Sequence, residues 1–396
     1  MTRPETGAPY ASWVFLALVA ITPLTAYLWP FGLAAFTPIA AIVLIPVFRS
    51  GRPDAAWMAL LVFGLYALVT TLWSPVFAAQ GPIADYADAE RQTWGKVAMN
   101  LGLYAVLVST AARLPMTTMR RLAVVFMIGT TALAAVLLLE SLWGARLYHM
   151  LTEASGNGMR PDLERRNVAQ GTYALALMYW PAVTLLRREN YRGLAVVLTA
   201  GALAAPILLH AWAPAAAVLA GGVAYLVARW TGRHAGLIIG GALAAAILVA
   251  PWAVLAAGGL LEWAGPHMGA SWAARLDLWA FAAEQTLQHP IFGWGLDASR
   301  AFQPFMLHPH SAPLQVWLEL GLVGAVLLAV VWFLVSQRAM RLGPQALAAA
   351  VSYFVIGALS FGMWQEWWLG LAAMTAVWVM VADDRLAPKF TSMIEA

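Results

Sequence analysis

The chain has 396 residues, of which 62% are hydrophobic and 11% charged, whereas soluble domains average roughly 45–50% apolar and about 25% charged residues. With a mean hydropathy of +0.73, this composition excludes a large soluble domain and predicts an all-α integral membrane protein. The chain has 0 cysteines, which excludes disulfides, thiolate metal sites and a cysteine nucleophile, and its net charge of +4 is small. We expect membrane lipids as partners and no nucleic acid.

About twelve apolar stretches, each of about 17–24 residues, are long enough to cross a bilayer core about 30 Å thick. In chain order they are 11–29, 31–48, 55–73, 94–112, 119–142, 167–187, 193–209, 211–229, 235–257, 313–336, 345–363 and 366–382. We find no tandem repeat and no low-complexity linker, so we expect one polytopic domain over 1–396. The N-terminal run has no clear cleavage site and is interpreted as a retained first helix.

The distribution of basic residues predicts the orientation of these spans. Most arginines fall in short connections, namely those near 49–52, 113–121, 187–192, 229–233 and 338–341. By the positive-inside rule, these connections and both termini are cytoplasmic. Three longer external loops remain, at about 74–93, 143–166 and 258–312, and we expect the chemistry of the protein there.

The loop 258–312 holds four of the seven histidines. Its segment "SWAARLDLWAFAAEQTLQ" has apolar residues at helical spacing, which predicts an amphipathic helix in the outer interface. Arg275 borders that apolar face, so it either reaches phosphate or forms a salt bridge with Asp277 or Asp297. In "HPIFGWGLDASRAF" (289–302), glycines predict a turn, and Asp297 or Ser299 could cap a short helix. Arg300 there either contacts an anionic group or is solvated.

Two histidines, His308 and His310, directly precede the tenth span, which we expect to begin near Pro313. The pattern His310-Ser311-x9-Gly321-x-x-Gly324 places small residues where a neighbouring helix can approach. His310 is either a catalytic base or an interfacial polar residue. Glu319 lies about two turns into this span, where a carboxylate needs a partner or water.

Basic residues also stand at two other span entrances. Arg165, Arg166 and Asn167 open the sixth span on the external side, against both the positive-inside bias and the helix dipole, which suggests an anion site. Lys96, just inside the fourth span, either joins that site or snorkels to the interface. The acids Asp85, Asp88 and Glu90 could hold Mg²⁺ or form a solvated loop. No nucleotide-binding or hydrolase motif is present.

Together, the twelve spans, the long loop before the tenth, "HPIFGWGLDASRAF" and the His310 pattern resemble the O-antigen ligase superfamily, which includes lipopolysaccharide ligases and Wzy-type polymerases. "ERRNVAQGTYALALMYWPA" is similar to the arginine-bearing sixth span of that family. The resemblance implies a GT-C-like fold in the bacterial inner membrane, a site that faces the periplasm, and neither cofactor nor metal. It further implies transfer of a glycan from undecaprenyl diphosphate to an acceptor.

The resemblance also implies roles for individual residues. Arg275 and Arg166, with Arg165, would bind the diphosphate, and His310 would serve the acceptor hydroxyl. The further substrate-binding candidates are Lys96, Arg300, His308, Asn167 and Glu366, the last of which either orients an arginine or acceptor hydroxyl or is an interfacial residue. Two features depart from the family: Ser311 replaces the usual asparagine, and "HAWAPAAA" at the junction of the seventh and eighth spans lacks the usual Ser-Arg.

Three functions are compatible with these features. The first is a ligase that joins an O-antigen or related polysaccharide to lipid A–core. The second is a Wzy-type polymerase whose acceptor is another lipid-linked glycan. The third, a transporter of lipid-linked sugar, predicts paired charges near the bilayer midplane and inverted repeats. The chain has few mid-span charges and no such repeat, which favours the enzymes.

Overall fold

The structure, a computed structural model, describes residues 8–49, 51–79, 92–267, 269–303 and 308–383. Within these ranges the chain is helical and has no β-strand, which confirms the all-α prediction for the described part. The α-helices are α1 (Ala8–Leu28), α2 (Leu33–Leu44), α3 (Ala55–Val69), α4 (Pro75–Ala79), α5 (Thr93–Ala111), α6 (Met116–Trp143), α7 (Arg146–Ala154), α8 (Pro161–Arg188), α9 (Arg192–Leu208), α10 (Trp212–Thr231), α11 (Ala235–Ala256), α12 (Gly258–Ala264), α13 (Ala270–Thr286), α14 (Ala312–Leu342), α15 (Pro344–Ser360) and α16 (Glu366–Val381). Short 3₁₀-helices are Pro30–Gly32, Ile45–Val47, Thr70–Trp73, Gly232–His234, Gly265–His267 and Ala298–Ala301.

Each of the twelve predicted spans coincides with helical structure. Among the described residues, six segments are long and apolar enough to cross a membrane: Pro9–Leu28, Pro30–Val47, Ala55–Trp73, Met116–Trp143, Trp212–Ala256 and Ala312–Leu342. The helices α9, α15 and α16 are apolar but shorter. The chain is therefore a multi-pass membrane protein, and the count of twelve crossings stays a prediction.

Helix α8 lies at the centre of the bundle. Almost every side chain from Val168 to Leu186 is buried, because α1, α6, α9, α10 and α15 all pack against this helix. The N-terminal end of α8 carries Arg165 and Arg166, so their backbone is held by a helix that is packed on most sides. A rigid support of this kind is what a preorganised binding site requires.

The helix predicted in the long external loop is present as α13, and it packs on the bundle. Leu276, Ala282 and Ala283 are buried, and α13 contacts both α11 and α14. Leu314 and Leu318 of α14 belong to the same apolar cluster. The apolar face of α13 thus packs on protein, whereas the sequence interpretation placed it in the lipid interface.

Helix α14 is interrupted at Gly321, where φ is 62° and ψ is −161°. The loop before it fills the interruption: the amides of Trp294 and Gly295 donate to the carbonyls of residues 318 and 319, at 3.0 and 2.7 Å. In return, the amides of residues 322 and 323 donate to the carbonyls of residues 290 and 291, at 2.8 and 3.2 Å. The loop therefore replaces the hydrogen bonds that the helix lacks, as buried backbone groups in a membrane require.

This arrangement corrects the interpretation of the glycine pattern. Gly321 does not admit a neighbouring helix: a Cβ there would lie 2.4 Å from the Ile291 carbonyl oxygen. At Gly324, the nearest contact of a Cβ would be the side chain of Leu320, one turn earlier in the same helix. The first glycine is thus required by backbone conformation and by the loop.

We predict that Gly321→Ala destabilises the protein, because its backbone region is nearly exclusive to glycine and costs other residues about 1–3 kcal/mol, to which the clash with residue 291 adds. The measurement is the midpoint of thermal unfolding in detergent. Gly241→Ala is the matched control, since Gly241 lies in α11 with open space around it and alanine there is expected to be neutral or stabilising. Equal midpoints for both variants would contradict the prediction.

Candidate functional site

His310 lies two residues before α14, at the helix entrance predicted from the sequence. Its Nδ1 is 3.1 Å from the carbonyl oxygen of Ser360, at the end of α15. A carbonyl only accepts, so Nδ1 carries the proton and the neutral ring has a free lone pair on Nε2. Burial lowers the pKa of His310 below its usual value, and the charges of Arg275 and Arg166 lower it further, while the bond to Ser360 acts the other way. His310 is thus a neutral imidazole with a free acceptor nitrogen.

His308 holds the backbone of His310 in place. His310 has a φ of 55°, a left-handed conformation that is uncommon for histidine, and its N–H donates to Nδ1 of His308 at 3.1 Å. Nε2 of His308 lies 2.8 Å from the side-chain amide of Gln365. Burial lowers the pKa of His308 to about 3, and the neighbouring His310 ring and the charge of Arg300 act in the same direction. This histidine, proposed from the sequence as substrate-binding, therefore has both ring nitrogens engaged within the protein.

Arg275 and Arg166 approach His310 from two separate helices, α13 and α8. Each guanidinium influences the pKa of His310, and burial and the Arg166 charge both lower the pKa of Arg275, opposed by Tyr173. The guanidinium of Arg275 stacks over Trp272, 4.9 Å from the ring centroid. The structure thus brings together all three residues predicted to be catalytic.

The predicted alternative for Arg275, a salt bridge to Asp277 or Asp297, does not form. Asp297 instead pairs with Arg300, with Nε and Oδ1 3.0 Å apart. Among the described residues, neither Arg275 nor Arg166 forms an ion pair with a carboxylate. Two neighbouring arginines, with no carboxylate paired to either among the described residues, form an anion-binding arrangement.

The start of α8 differs from the sequence prediction. The helix begins at Pro161, with Asp162 and Glu164 in its first turn, so Arg165 and Arg166 lie in the second turn. Acids in the first turn complement the helix dipole, and the amides of residues 165–167 are already within the helix. The backbone N–H groups of residues 165–167 are therefore not available to bind an anion at this entrance. Any anion binding there depends on the arginine side chains.

The three candidates at this helix entrance differ in their surroundings. Arg166 is linked electrostatically to His310 and Arg275, whereas no such link to Arg165 is found in the described part of the chain. Asn167 points its side-chain amide toward the Tyr148 hydroxyl and the Met159 sulfur, both at 3.4 Å. Its contacts join α8 to α7 and to the segment between these helices, and substrate binding by Arg165 and Asn167 stays a prediction.

Glu319 is fully buried and joins the long loop to the end of α15. Its Oε2 accepts from the backbone N–H of Asp297 at 2.9 Å and from Nε1 of Trp364 at 2.6 Å. Its Oε1 accepts from the Ser299 hydroxyl at 2.6 Å and from the Gln315 amide at 2.9 Å. Glu319 thus has the partners that a carboxylate at this depth requires, and this geometry gives it a structural role.

Two ion pairs lie on the other side of His308. Lys96 Nζ is 2.7 Å from a carboxylate oxygen of Glu366, at the start of α16. Asp297 binds Arg300 and accepts from the Thr93 hydroxyl at 2.7 Å, and burial raises the pKa of Asp297 while these partners oppose the shift. Asp297 precedes the short helix Ala298–Ala301 but makes no side-chain cap to it, so the predicted capping is wrong.

Several residues at the site were not predicted from the sequence. Tyr173 acts to raise the pKa of Arg275, and its ring packs against Phe361, with the centroids 4.8 Å apart. Gln170 lies between Arg166 and Tyr173 on the same face of α8, with a buried side-chain oxygen that has no partner among the described residues. The spacing of four and seven residues from Arg166 was the available signal. The acids Asp85, Asp88 and Glu90 lie outside the described residues.

Comparison with known proteins finds similarity over part of the chain. Residues 194–329 match the family model described as O-antigen ligase. That segment contains Arg275, Arg300 and both histidines of the site, whereas Arg166 and Lys96 lie before it.

Individual relatives carry a related name. A protein of Rickettsia conorii (strain ATCC VR-613 / Malish 7) named "Putative polysaccharide ligase" is 30% identical over 129 residues, which cover 28% of this chain and 30% of the relative. Proteins with that name from Rickettsia felis (strain ATCC VR-1525 / URRWXCal2) and Rickettsia prowazekii (strain Madrid E) are 30% and 28% identical over 129 residues, 28% of this chain and 31% of each relative. The matched part thus spans about a third of these relatives. By these matches, residues 194–329 of the chain are similar to the O-antigen ligase family.

Proposed function

We propose that the protein is a membrane glycosyltransferase that moves an O-antigen or related polysaccharide from undecaprenyl diphosphate to lipid A–core. It would act at the periplasmic face of a bacterial inner membrane, with both termini in the cytoplasm, a GT-C-like fold over 1–396 and the loop 258–312 outside. The observation that carries this proposal is the neutral His310, with Nε2 free, beside two arginines that have no carboxylate partner among the described residues.

The reaction follows from these groups. The acceptor hydroxyl oxygen attacks C1 of the donor sugar while its proton passes to Nε2 of His310. The bond from C1 to the phosphate oxygen breaks, and its electron pair leaves with undecaprenyl diphosphate. Arg275 and Arg166 would stabilise the charge that grows on this oxygen, because preorganised cations in a water-poor site act strongly on developing charge. A single displacement inverts the anomeric centre.

The test is transfer by the purified protein from undecaprenyl-diphosphate glycan to lipid A–core, with and without EDTA. We expect transfer, and we expect chelation to leave its rate unchanged, because arginines supply the positive charge. Elongation of the lipid-linked glycan with no product on lipid A–core would instead identify a Wzy-type polymerase. Loss of transfer on chelation, restored by Mg²⁺ or Mn²⁺, would turn attention to Asp85, Asp88 and Glu90.

We predict that the pH profile of transfer has its acid limb below pH 6.5, the usual pKa of histidine. Because the pKa of His310 is lowered in the protein, the ring stays neutral and able to accept a proton until the pH falls beneath that value. The measurement is kcat/KM for the acceptor between about pH 4 and 8, with stability checked at each pH. In the Arg275→Gln protein the acid limb should move to higher pH, because one cation that disfavours the imidazolium form of His310 is gone.

A further inference from the structure

The basic residues around the two histidines fall into two groups that differ in net charge. Arg275 and Arg166 form no ion pair with a carboxylate of the described residues, and the charges of both lower the pKa of His310. Lys96 and Arg300 are each paired, with Glu366 at 2.7 Å and Asp297 at 3.0 Å. One side of the site is therefore cationic, and the other is polar with its charges compensated.

The contacts also give the order of the two groups. The charges of Arg275 and Arg166 lower the pKa of His310, and the charge of Arg300 lowers the pKa of His308. The ring centroids of His310 and His308 are 4.5 Å apart. On the far side, Gln365 contacts His308 and directly precedes Glu366. His308 thus contacts both His310, whose pKa the two arginines lower, and Gln365, which adjoins the Lys96–Glu366 pair.

The two sides suit different ligands. A diphosphate requires unpaired cations, and at the ion pairs it would have to displace a carboxylate and meet its repulsion. A sugar hydroxyl is uncharged and both donates and accepts hydrogen bonds. An ammonium beside a carboxylate retains spare donors and acceptors with no net charge, which matches a row of hydroxyls. The side chains of Lys96 and Glu366 are 23% and 38% exposed, so a ligand can reach them.

We propose that the pairs Lys96–Glu366 and Asp297–Arg300 form the binding subsite for the acceptor saccharide. This assignment rests on the proposed function, in which the acceptor hydroxyl must reach Nε2 of His310 from the side opposite the diphosphate. The subsite selects for a saccharide that presents hydroxyl groups next to the attacking one. The pairs position the acceptor and do not touch the bond that breaks.

The experiment measures acceptor KM, kcat and lipid-donor affinity for purified Glu366→Gln, Lys96→Met and Arg300→Gln proteins. We expect acceptor KM to rise about tenfold or more in each, since a hydrogen bond to a charged group contributes about 1.5–3 kcal/mol, and we expect donor affinity to stay within about twofold. Because Arg300 belongs to the second ion pair, Arg300→Gln still tests the subsite if a variant of the Lys96–Glu366 pair does not fold.

The matched control is an ion pair at the other end of α14. Asp54 and Arg338 form such a pair, at 44% and 41% side-chain exposure, and Asp54→Asn is expected to leave acceptor KM unchanged. An unchanged acceptor KM in folded Glu366→Gln and Arg300→Gln proteins would overturn the subsite, as would a loss of donor affinity with normal acceptor KM. His310→Ala and Arg275→Ala are assayed in parallel, because full transfer by both would reject the proposed function itself, independently of the subsite.

Discussion

Replacing His310 by alanine is expected to lower the turnover of glycan transfer by about 10²–10⁴-fold, the usual contribution of a general base, and to leave donor affinity nearly unchanged. The physical reason is the tautomer fixed by Ser360, which leaves Nε2 as the proton acceptor, while the diphosphate is bound by other groups. The measurements are single-turnover rates with saturating acceptor, and binding of undecaprenyl-diphosphate glycan to the purified variant.

A second histidine of the same loop provides the control. His267 is exposed and stacks on Trp263, so His267→Ala should transfer at the normal rate. Monodispersity in detergent establishes that each variant is folded. If His310→Ala abolishes donor binding while the arginine variants bind normally, the assigned roles are reversed. If it retains full turnover, the histidine belongs only to the helix entrance.

Replacing Arg275 by alanine is expected to weaken donor binding and also to lower turnover, by about 10²–10³-fold if it acts like one donor of an oxyanion hole. Arg166→Ala should behave in the same way, because the charges of both guanidinium groups act on His310. Lysine should rescue either site poorly, since it keeps the charge but loses the planar fork that binds two oxygens. Donor affinity and turnover are measured for each variant.

The adjacent arginine gives a sharp comparison. Neighbouring residues of a helix point about 100° apart, and the electrostatic links to the site run to Arg166 and not to Arg165 in the described structure. Arg165→Ala is therefore expected to keep most of its activity, and Arg146→Ala, an exposed arginine of α7, should keep all of it. Equal losses at residues 165 and 166 would show that net charge matters more than geometry.

Hydropathy was sufficient to predict the helices, because a chain in a bilayer must satisfy its backbone within each span. It did not predict the interruption at Gly321, since the partner of that helix segment is an irregular loop whose amides replace the helical hydrogen bonds. The glycine was visible in the sequence. Its φ depends on a contact with residue 291, which local pattern does not contain.

The candidate site shows the same limit. Titratable residues at span entrances led to His310 and Arg166, and the apolar face of the loop helix led to Arg275, because charge near a membrane is costly and is kept for a reason. The ion pairs could not be predicted from the sequence. Lys96 and Glu366 are 270 positions apart in the chain, and the packing of α16 on α5 brings them together. Whether a cation is free or compensated is a tertiary property, and here it separates two kinds of ligand.

The joint between the long loop and α14 also bears on how the chain is made. Neither segment completes its backbone hydrogen bonds alone: residues 290–295 and 318–323 each supply what the other lacks. During synthesis the loop segment emerges first, so its amides and carbonyls are already present when the interrupted helix enters the bilayer. The order of the two segments along the chain thus makes the loop's donors and acceptors available before the interrupted helix is complete.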